Sequence, residues 1–126
     1  MKFKNYYIEN SEGKSNCVVR SFCKILNKKY NDVFNELCEI KKELSCDNYN
    51  DIIVFETYMK NHDIDMIDYG KDKKVCDLKL EDGTYIVFCY DKKDFYHMLP
   101  IINNTIYDKE ESSLNLYTIS LYKKLK

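Results

Sequence analysis

The sequence predicts an α+β fold, because helical periodicity fills the first half of the chain and strand patterns fill the second half. Helices and strands that are segregated in this way, rather than alternating, favour helices packed on one sheet. The 126 residues contain no internal repeat and no linker rich in Gly, Pro or Ser. We therefore expect one domain, residues 1–126, with N-terminal helices packed on a C-terminal antiparallel sheet.

Three helices are predicted from apolar residues at three- and four-residue spacing, at about 17–27, 32–44 and 51–61. Their core-facing stripes are apolar: Val19, Phe22, Cys23 and Leu26, then Val33, Leu37, Ile40 and Leu44, then Ile52, Phe55, Tyr58 and Met59. The candidate cap residues carry side-chain oxygens: Ser15 or Asn16, Asn31 or Asp32, and Asn50.

Five strands are predicted in the second half from alternating or continuous runs of β-forming residues. We expect them at 64–68, 84–90, 95–102, 105–108 and 116–122, whereas 75–80 suits either a helical turn or a loop. Asn103 and Asn104 are a two-residue turn of the type that has positive φ at both positions. The two strands that flank this turn should therefore form a hairpin.

Charge and hydropathy exclude several classes of function. The 20 Lys and Arg nearly cancel the 21 Asp and Glu, so no bulk attraction to nucleic acid or to an anionic membrane is expected. No apolar run approaches the length of a membrane span, and the first residues are too polar for a secretory signal. We expect a cytoplasmic protein with six reduced cysteines. The bias towards Lys, Asn, Ile and Tyr indicates an A/T-rich genome, such as that of a low-GC bacterium or its phage.

Cofactor and metal motifs are absent from the sequence, which has no CxxC, HExxH, P-loop or GxGxxG pattern. We therefore expect no cofactor. A zinc site built from Cys38, Cys46, His62 and Cys76 fits no standard spacing, so no metal is expected either.

Cys17 is the candidate nucleophile, because it lies directly after the predicted cap residue, at the N-terminus of the first helix. A helix N-terminus favours an anion, and a thiol needs a lowered pKa to be reactive near neutral pH. None of the other cysteines has that position: Cys23 and Cys38 are on apolar helix faces, Cys89 is in an apolar strand, and Cys46 and Cys76 are in loop-like segments. The alternative for Cys17 is a small apolar residue beneath the first turn.

His97 is the candidate base, because the other histidine, His62, lies in a polar turn and is expected on the solvated surface. If Asn103 and Asn104 are the turn, Ile102 faces Thr105, and His97 and Asp108 become diagonal neighbours on one sheet face, about 7–8 Å apart. A carboxylate at that position can fix the imidazole tautomer. Glu110, directly opposite His97, is the rival orienting group, and a core histidine with satisfied nitrogens is the alternative for His97.

Two blocks of sequence carry a resemblance to a known family. They are the run from Ser15 to Arg20, which reads Ser-Asn-Cys-Val-Val-Arg and opens a helix, and the later set Gly83 to Phe88, His97 to Ile102 and Ile106 to Asp108. Over about residues 10–110 the chain resembles papain-like cysteine peptidases, in particular bacteriocin-leader peptidases and small bacterial and phage relatives. The resemblance implies a papain-like fold, with Cys17 as nucleophile, His97 as general base and acid, and Asp108 as orienting group.

The chain departs from that family around the nucleophile. The family usually has a Gln a few residues before the Cys to stabilise the oxyanion, and this sequence has no Gln. Asn10, Ser11 or Asn16 is then the candidate donor, together with the backbone N–H of Cys17. The leader peptidases also tend to have Gly after the Cys, where Val18 stands here.

Two functions from different classes follow. The first is a thiol hydrolase that acts on a peptide or amide bond through a Cys-His-Asp triad, which the hairpin register favours. The second is a non-catalytic papain-like binding protein, such as a phage or mobile-element inhibitor of a host protein, which the missing Gln favours. In both cases the expected partner is a peptide or protein, with no nucleic acid and no membrane, and the sequence leaves the oligomeric state open.

Overall fold

The computed structural model describes residues 1–8 and 16–126, and it has three helices and a six-stranded mixed sheet. The helices are α1 (Cys17–Leu26), α2 (Tyr30–Glu43) and α3 (Ile52–Asn61). The strands are β1 (Lys2–Asn5), β2 (Ile64–Ile67), β3 (Thr84–Tyr90), β4 (Tyr96–Ile102), β5 (Thr105–Asp108) and β6 (Tyr117–Lys124). The predicted α+β class is confirmed. Within the described residues, no helix is long and apolar enough to cross a membrane.

The sheet differs from the expected C-terminal antiparallel sheet in one strand. Its order is β1-β5-β4-β3-β6-β2, and the neighbours are antiparallel except for β1, which pairs parallel with β5. The sequence pattern did not predict β1, which has only four residues and a mostly exposed face. The sheet is therefore mixed, and one of its edge strands comes from the N-terminus.

The helices agree with the predicted ones in number and in place, but their first residues and caps differ. α2 begins at Tyr30, two residues earlier than predicted, and its cap position is Lys29 rather than Asn31 or Asp32. Asp51 rather than Asn50 precedes α3. Asn27, which directly follows α1, adopts the left-handed conformation (φ 55°) that closes many helices. Helix boundaries are the part of a periodic pattern that apolar spacing constrains least.

The core lies on both faces of the sheet, because side chains of a strand alternate between its faces. On one face, Ile86 and Met98 pack with the buried residues of the three helices. On the other face, Val87 and Leu99 pack with Val75, which lies in a 3₁₀ turn (Val75–Asp77) that covers this side. The continuous apolar run of β3 is thus explained by burial on both sides.

The β4–β5 hairpin has the register that the sequence predicts. Ile102 pairs with Thr105 and Ile101 with Ile106. Asn103 and Asn104 have φ of 48° and 63°, a left-handed conformation that Asn tolerates better than most residues. The side-chain oxygen of Asn103 also accepts a hydrogen bond from the backbone N–H of Gly83, at 2.9 Å. The turn therefore fixes which residues of β4 and β5 face one another.

Candidate active site

Cys17 is the first residue of α1, as expected, and α1 is attached to the strand that carries His97. The hydroxyl of Ser21, one turn after Cys17, donates a buried 3.2 Å hydrogen bond to the carbonyl oxygen of Met98 on β4. The same Met98 residue also hydrogen-bonds the Cys17 sulfur through its backbone N–H. These two contacts place the start of the helix beside the residue that follows His97.

Asn16 occupies the cap position of α1, but its side chain makes no cap hydrogen bond. Its backbone carbonyl oxygen accepts the N–H of Arg20, at 2.9 Å. Asn16 is only 8% exposed. Ser15, the other predicted cap, and Asn10 and Ser11, two of the predicted oxyanion donors, lie outside the described residues.

His97 and Asp108 are in direct contact. The Nε2 atom of His97 lies 3.0 Å from Oδ2 of Asp108, which is 3% exposed. This contact follows from the hairpin register, which puts the two residues on one sheet face. Glu110, the rival orienting group, is exposed and lies beyond the last residue of β5, at the cap position of a 3₁₀ helix (Glu111–Asn115). The choice of Asp108 over Glu110 agrees with this geometry.

Two further residues hold Asp108, and sequence reasoning had missed both roles. The hydroxyl of Ser113 donates a buried 2.5 Å hydrogen bond to Oδ2 of Asp108. Nη2 of Arg20 lies 3.6 Å from the other carboxylate oxygen, Oδ1. Arg20 is three residues after Cys17 on α1, a spacing that puts both on one helix face, so its position carried a signal. Ser113 lies in the short 3₁₀ helix that no pattern predicted.

The charges of the three predicted residues support one another. Burial raises the pKa of the Cys17 thiol, but the hydrogen bond and charge of His97, the Met98 backbone and the charge of Arg20 outweigh it, and the pKa falls below its usual value. Burial alone lowers the pKa of His97, whereas Asp108 and Cys17 raise it, to about 9 overall. Burial raises the pKa of Asp108, but His97 and Ser113 bring it below its usual value. Together the three shifts favour a thiolate, an imidazolium and a carboxylate in a row over the neutral forms of these groups.

The two ring nitrogens of His97 have different neighbours. Nε2 is engaged by Asp108, so Nδ1 is the nitrogen left for the Cys17 sulfur. On the Cys17 side lies a cleft of about 500 Å³, whose lining combines apolar side chains with the polar or charged Arg20, Asn50 and Asp94. Its lining includes Cys17, His97, Phe55, Phe88, Phe95, Tyr96 and Met98, but not Asn16. On the Asp108 side lies a smaller cavity of about 220 Å³, which is lined in part by Arg20, Lys109 and Ser113.

The rim of the larger cleft is aromatic. Phe95 and Tyr96 are 51% and 53% exposed, although both are large apolar side chains. The Phe95 ring stacks on the His97 ring at 5.5 Å, and Tyr96 stacks on Phe88 at 5.9 Å. A substrate or partner that enters the cleft would therefore meet apolar rings beside the sulfur.

The remaining cysteines and His62 are not members of the row of contacts from Cys17 to Asp108, although Cys89 touches the backbone of His97. All six cysteines are within the described part of the chain and none is in a disulfide. Cys89, in β3, is buried and donates to the carbonyl oxygen of His97, at 3.4 Å. His62 is half-buried, with its ring 4.5 Å from that of Tyr58, so the expectation of a solvated surface histidine was only partly right. Among residues 1–8 and 16–126, no group of His, Cys, Asp or Glu is arranged to hold a metal ion.

The chain matches no protein-family model, no curated protein and no solved structure. The site is therefore interpreted from its own geometry.

Proposed function

We propose that this protein is a papain-like thiol hydrolase that cleaves a peptide or related amide bond in the cytoplasm, with Cys17 as nucleophile, His97 as acid and base, and Asp108 as orienting group. The observation that carries the proposal is the chain of contacts that runs from the Cys17 sulfur through the His97 ring to Asp108, with 3.0 Å between Nε2 and Oδ2. A nucleophile, a base within reach and a third group that orients the base are the arrangement that covalent hydrolysis needs.

In the first half of the proposed reaction, the Cys17 thiolate attacks the carbonyl carbon of the amide and forms a C–S bond. Negative charge then develops on the carbonyl oxygen, next to the backbone N–H groups at the start of α1, which have no intrahelical acceptor. The His97 imidazolium gives its proton to the amine nitrogen, the C–N bond breaks, and the amine leaves. A thioester on Cys17 remains.

In the second half, a water molecule attacks the thioester carbonyl while neutral His97 takes one of its protons. The C–S bond breaks, the carboxylic acid product leaves, and the thiolate–imidazolium pair is restored. Throughout both steps, Asp108 holds the proton on Nε2, so that Nδ1 faces the sulfur in the tautomer that the reaction uses.

The aromatic part of the cleft favours a peptide with an apolar side chain near the scissile bond. Its wall beside Cys17 carries Phe55, Phe88 and Tyr96, and apolar burial is the main source of affinity in such pockets. The half-exposed rings of Phe95 and Tyr96 extend that apolar surface beyond the cleft.

The test is a peptide library made by digesting a whole proteome, incubated with the protein and searched by mass spectrometry for new termini. We expect new termini with the wild-type protein and with Cys46→Ala, a control that removes a thiol outside the site, and none with Cys17→Ala. In parallel, iodoacetamide at pH 6 should label Cys17 before the other five cysteines. Cleavage that persists in Cys17→Ala would overturn the proposal.

A second candidate is a binding protein on the same scaffold, and the exposed Phe95 and Tyr96 are the observation that favours it. Exposed aromatic residues around a cleft are typical of protein-binding surfaces. A pure binder needs no activated thiol, so iodoacetamide at pH 6 should label Cys17 no faster than Cys46, and no new termini should form. Those two results together would replace the hydrolase with the binder.

A further inference from the structure

Arg20 is unusual among the charged residues in the described part of the chain, because its guanidinium is buried next to the site and does not face solvent. It is 6% exposed and lies among apolar residues of α1 that include Val19 and Phe22. Burying a charge is unfavourable unless a partner of opposite charge compensates it. Its presence therefore calls for a partner and for a use.

The guanidinium of Arg20 supplies charge rather than hydrogen bonds. Its Nε and Nη1 atoms have no exposed area and no hydrogen-bond partner among residues 1–8 and 16–126. Its Nη2 atom lies 3.6 Å from Oδ1 of Asp108, which is an ion pair but is too long for a hydrogen bond. The Nε and Nη1 groups are buried, so a bound molecule does not reach them directly. Arg20 therefore acts through the electrostatic effect of its charge on neighbouring charged groups.

The charges of the site balance only when Arg20 is included. In the reactive state, Cys17 and Asp108 are anions, and His97 is a cation that lies between them. Without Arg20, one imidazolium would have to compensate two buried anions, and either the thiolate or the carboxylate would tend to take up a proton. Arg20 lies next to Oδ1 of Asp108, whereas His97 contacts Oδ2.

We propose that Arg20 is a positioning residue that neutralises Asp108, so that the charge of the His97 imidazolium is left for the Cys17 thiolate. This inference rests on the proposed function, because it assigns Arg20 a task within the same thiol site. Arg20 does not touch the reacting atoms in this scheme. It acts mainly through Asp108, and the smaller direct effect of its charge on Cys17 adds to this.

Other titratable groups surround this cluster on every side. They are Tyr6 before α1, Cys89 on β3, Tyr49 before α3, Asp94 in the loop before β4, and Lys109 and Glu110 after β5. The Tyr6 hydroxyl donates to the backbone carbonyl of Arg20, at 3.3 Å. Tyr6 and Cys89 have pKa values raised by burial, so both stay neutral around pH 7. Asp94, Lys109 and Glu110 are exposed, so water and salt screen their charges more strongly than those of the buried cluster.

The test is the rate of Cys17 alkylation by iodoacetamide between pH 4 and pH 9, which reports the thiolate fraction without needing any substrate. In Arg20→Met, which keeps length but loses charge, we expect the rate at pH 6 to fall about tenfold, equivalent to one pKa unit. Arg20→Lys, which keeps the charge, should stay close to wild type. Lys24→Met, which removes the other cation of α1 one turn further on, should change the rate less than about twofold.

A double-mutant cycle with Asp108→Asn separates this role from simple packing. If Arg20 acts by neutralising Asp108, the loss of Arg20 should change alkylation little once Asp108 is already neutral. An equal tenfold fall in both backgrounds would overturn the inference, as would an Arg20→Met profile identical to wild type with a raised KM for peptide cleavage. Should Arg20→Met not fold, the comparison of Arg20→Lys with wild type in both backgrounds decides the same question, since a kept charge must give a kept profile.

These results also separate the two proposals. If Cys17 of the wild-type protein titrates as an ordinary thiol, the proposed hydrolase fails. If its pKa is low but Arg20→Met leaves it unchanged, the hydrolase stands and only the role of Arg20 fails.

Discussion

The two sides of the His97 ring are built in opposite ways. On the Asp108 side the buried carboxylate meets His97, Ser113 and Arg20 at 3.0, 2.5 and 3.6 Å, beside a smaller cavity of about 220 Å³. On the Cys17 side the ring borders a cleft of about 500 Å³ with exposed aromatic residues at its rim. Under the proposed mechanism, this difference would hold the ring by one nitrogen and leave the other free for proton transfer, as pre-organised acid–base catalysis requires.

The largest effect should come from removing the ring that joins the two sides. In His97→Ala we expect the kcat/KM for a peptide identified in the library to fall about 10⁴-fold, the upper range for loss of a positioned acid and base. Alkylation of Cys17 at pH 6 should also slow, because the imidazolium no longer stabilises the thiolate. His62→Ala is the matched control and should keep wild-type kinetics, since His62 contacts Tyr58 rather than the site. Equal losses in both variants would point to a general folding effect instead.

A smaller effect is expected from a change on the enclosed side of the ring, where Asp108 meets His97, Ser113 and Arg20. Asp108→Asn keeps the shape of the side chain but removes the charge that fixes the proton on Nε2, so kcat should fall by about 10²-fold. Glu110→Gln provides the control, and we expect it to change kcat less than about twofold, because Glu110 is exposed beyond the end of β5. A dominant loss in Glu110→Gln would mean that the orienting group had been assigned to the wrong carboxylate.

The open side of the ring is the side where Cys17 borders the cleft. The ionisation of Cys17 and His97 should set the pH dependence of kcat/KM. The acid limb is set by Cys17, whose pKa lies below its usual value, and the alkaline limb by His97, whose pKa is raised to about 9. Activity should therefore be constant between the two limbs and fall about tenfold per pH unit above pH 9. A profile that keeps rising through pH 9 would exclude an imidazolium as the proton donor.

The free energy of unfolding should also depend on pH through the protonation of His97. Its pKa is higher in the folded protein than the usual 6.5, so its contribution to the free energy of unfolding is complete below about pH 6.5. That contribution is lost as pH rises through about 9. Urea unfolding of wild type and His97→Ala at several pH values measures it: the difference between the two proteins should be largest near pH 6 and should shrink as pH rises through about 9, leaving the part that comes from packing of the ring.

Much of this architecture could be predicted from local sequence, where local physics decides it. The bounds of β3 and β5 match the predicted runs residue for residue, because burial on both faces and an Asn-Asn turn constrain them within a few positions. The meeting of His97 and Asp108 followed from the same turn. β1 was missed because its partner, β5, lies about a hundred residues away and its own four residues carry little pattern.

The site was predicted less completely than the hairpin. Arg20 shares a helix face with Cys17, and a charged residue between Val19 and Phe22 could have indicated a buried cation. The apolar spacing of α1 drew attention only to its core-facing residues. Ser113 had no such signal. It lies in a 3₁₀ helix of five residues, whose course depends on packing against β1, β5 and the 3₁₀ turn that includes Val75.

Ser113 therefore provides the mildest test of the enclosed side. Ser113→Ala removes the 2.5 Å hydrogen bond to Oδ2 of Asp108 but leaves the bond of His97 to the same oxygen. Because the acceptor is charged and buried, we expect a loss of about 1.5–3 kcal/mol in the free energy of unfolding. The kcat should fall only about fivefold, since Asp108 still orients the ring. Ser112→Ala, at an exposed neighbouring position, is the control and should change neither quantity measurably. A loss of kcat as large as that of Asp108→Asn would show that Ser113, rather than the β4–β5 register, holds the carboxylate in place.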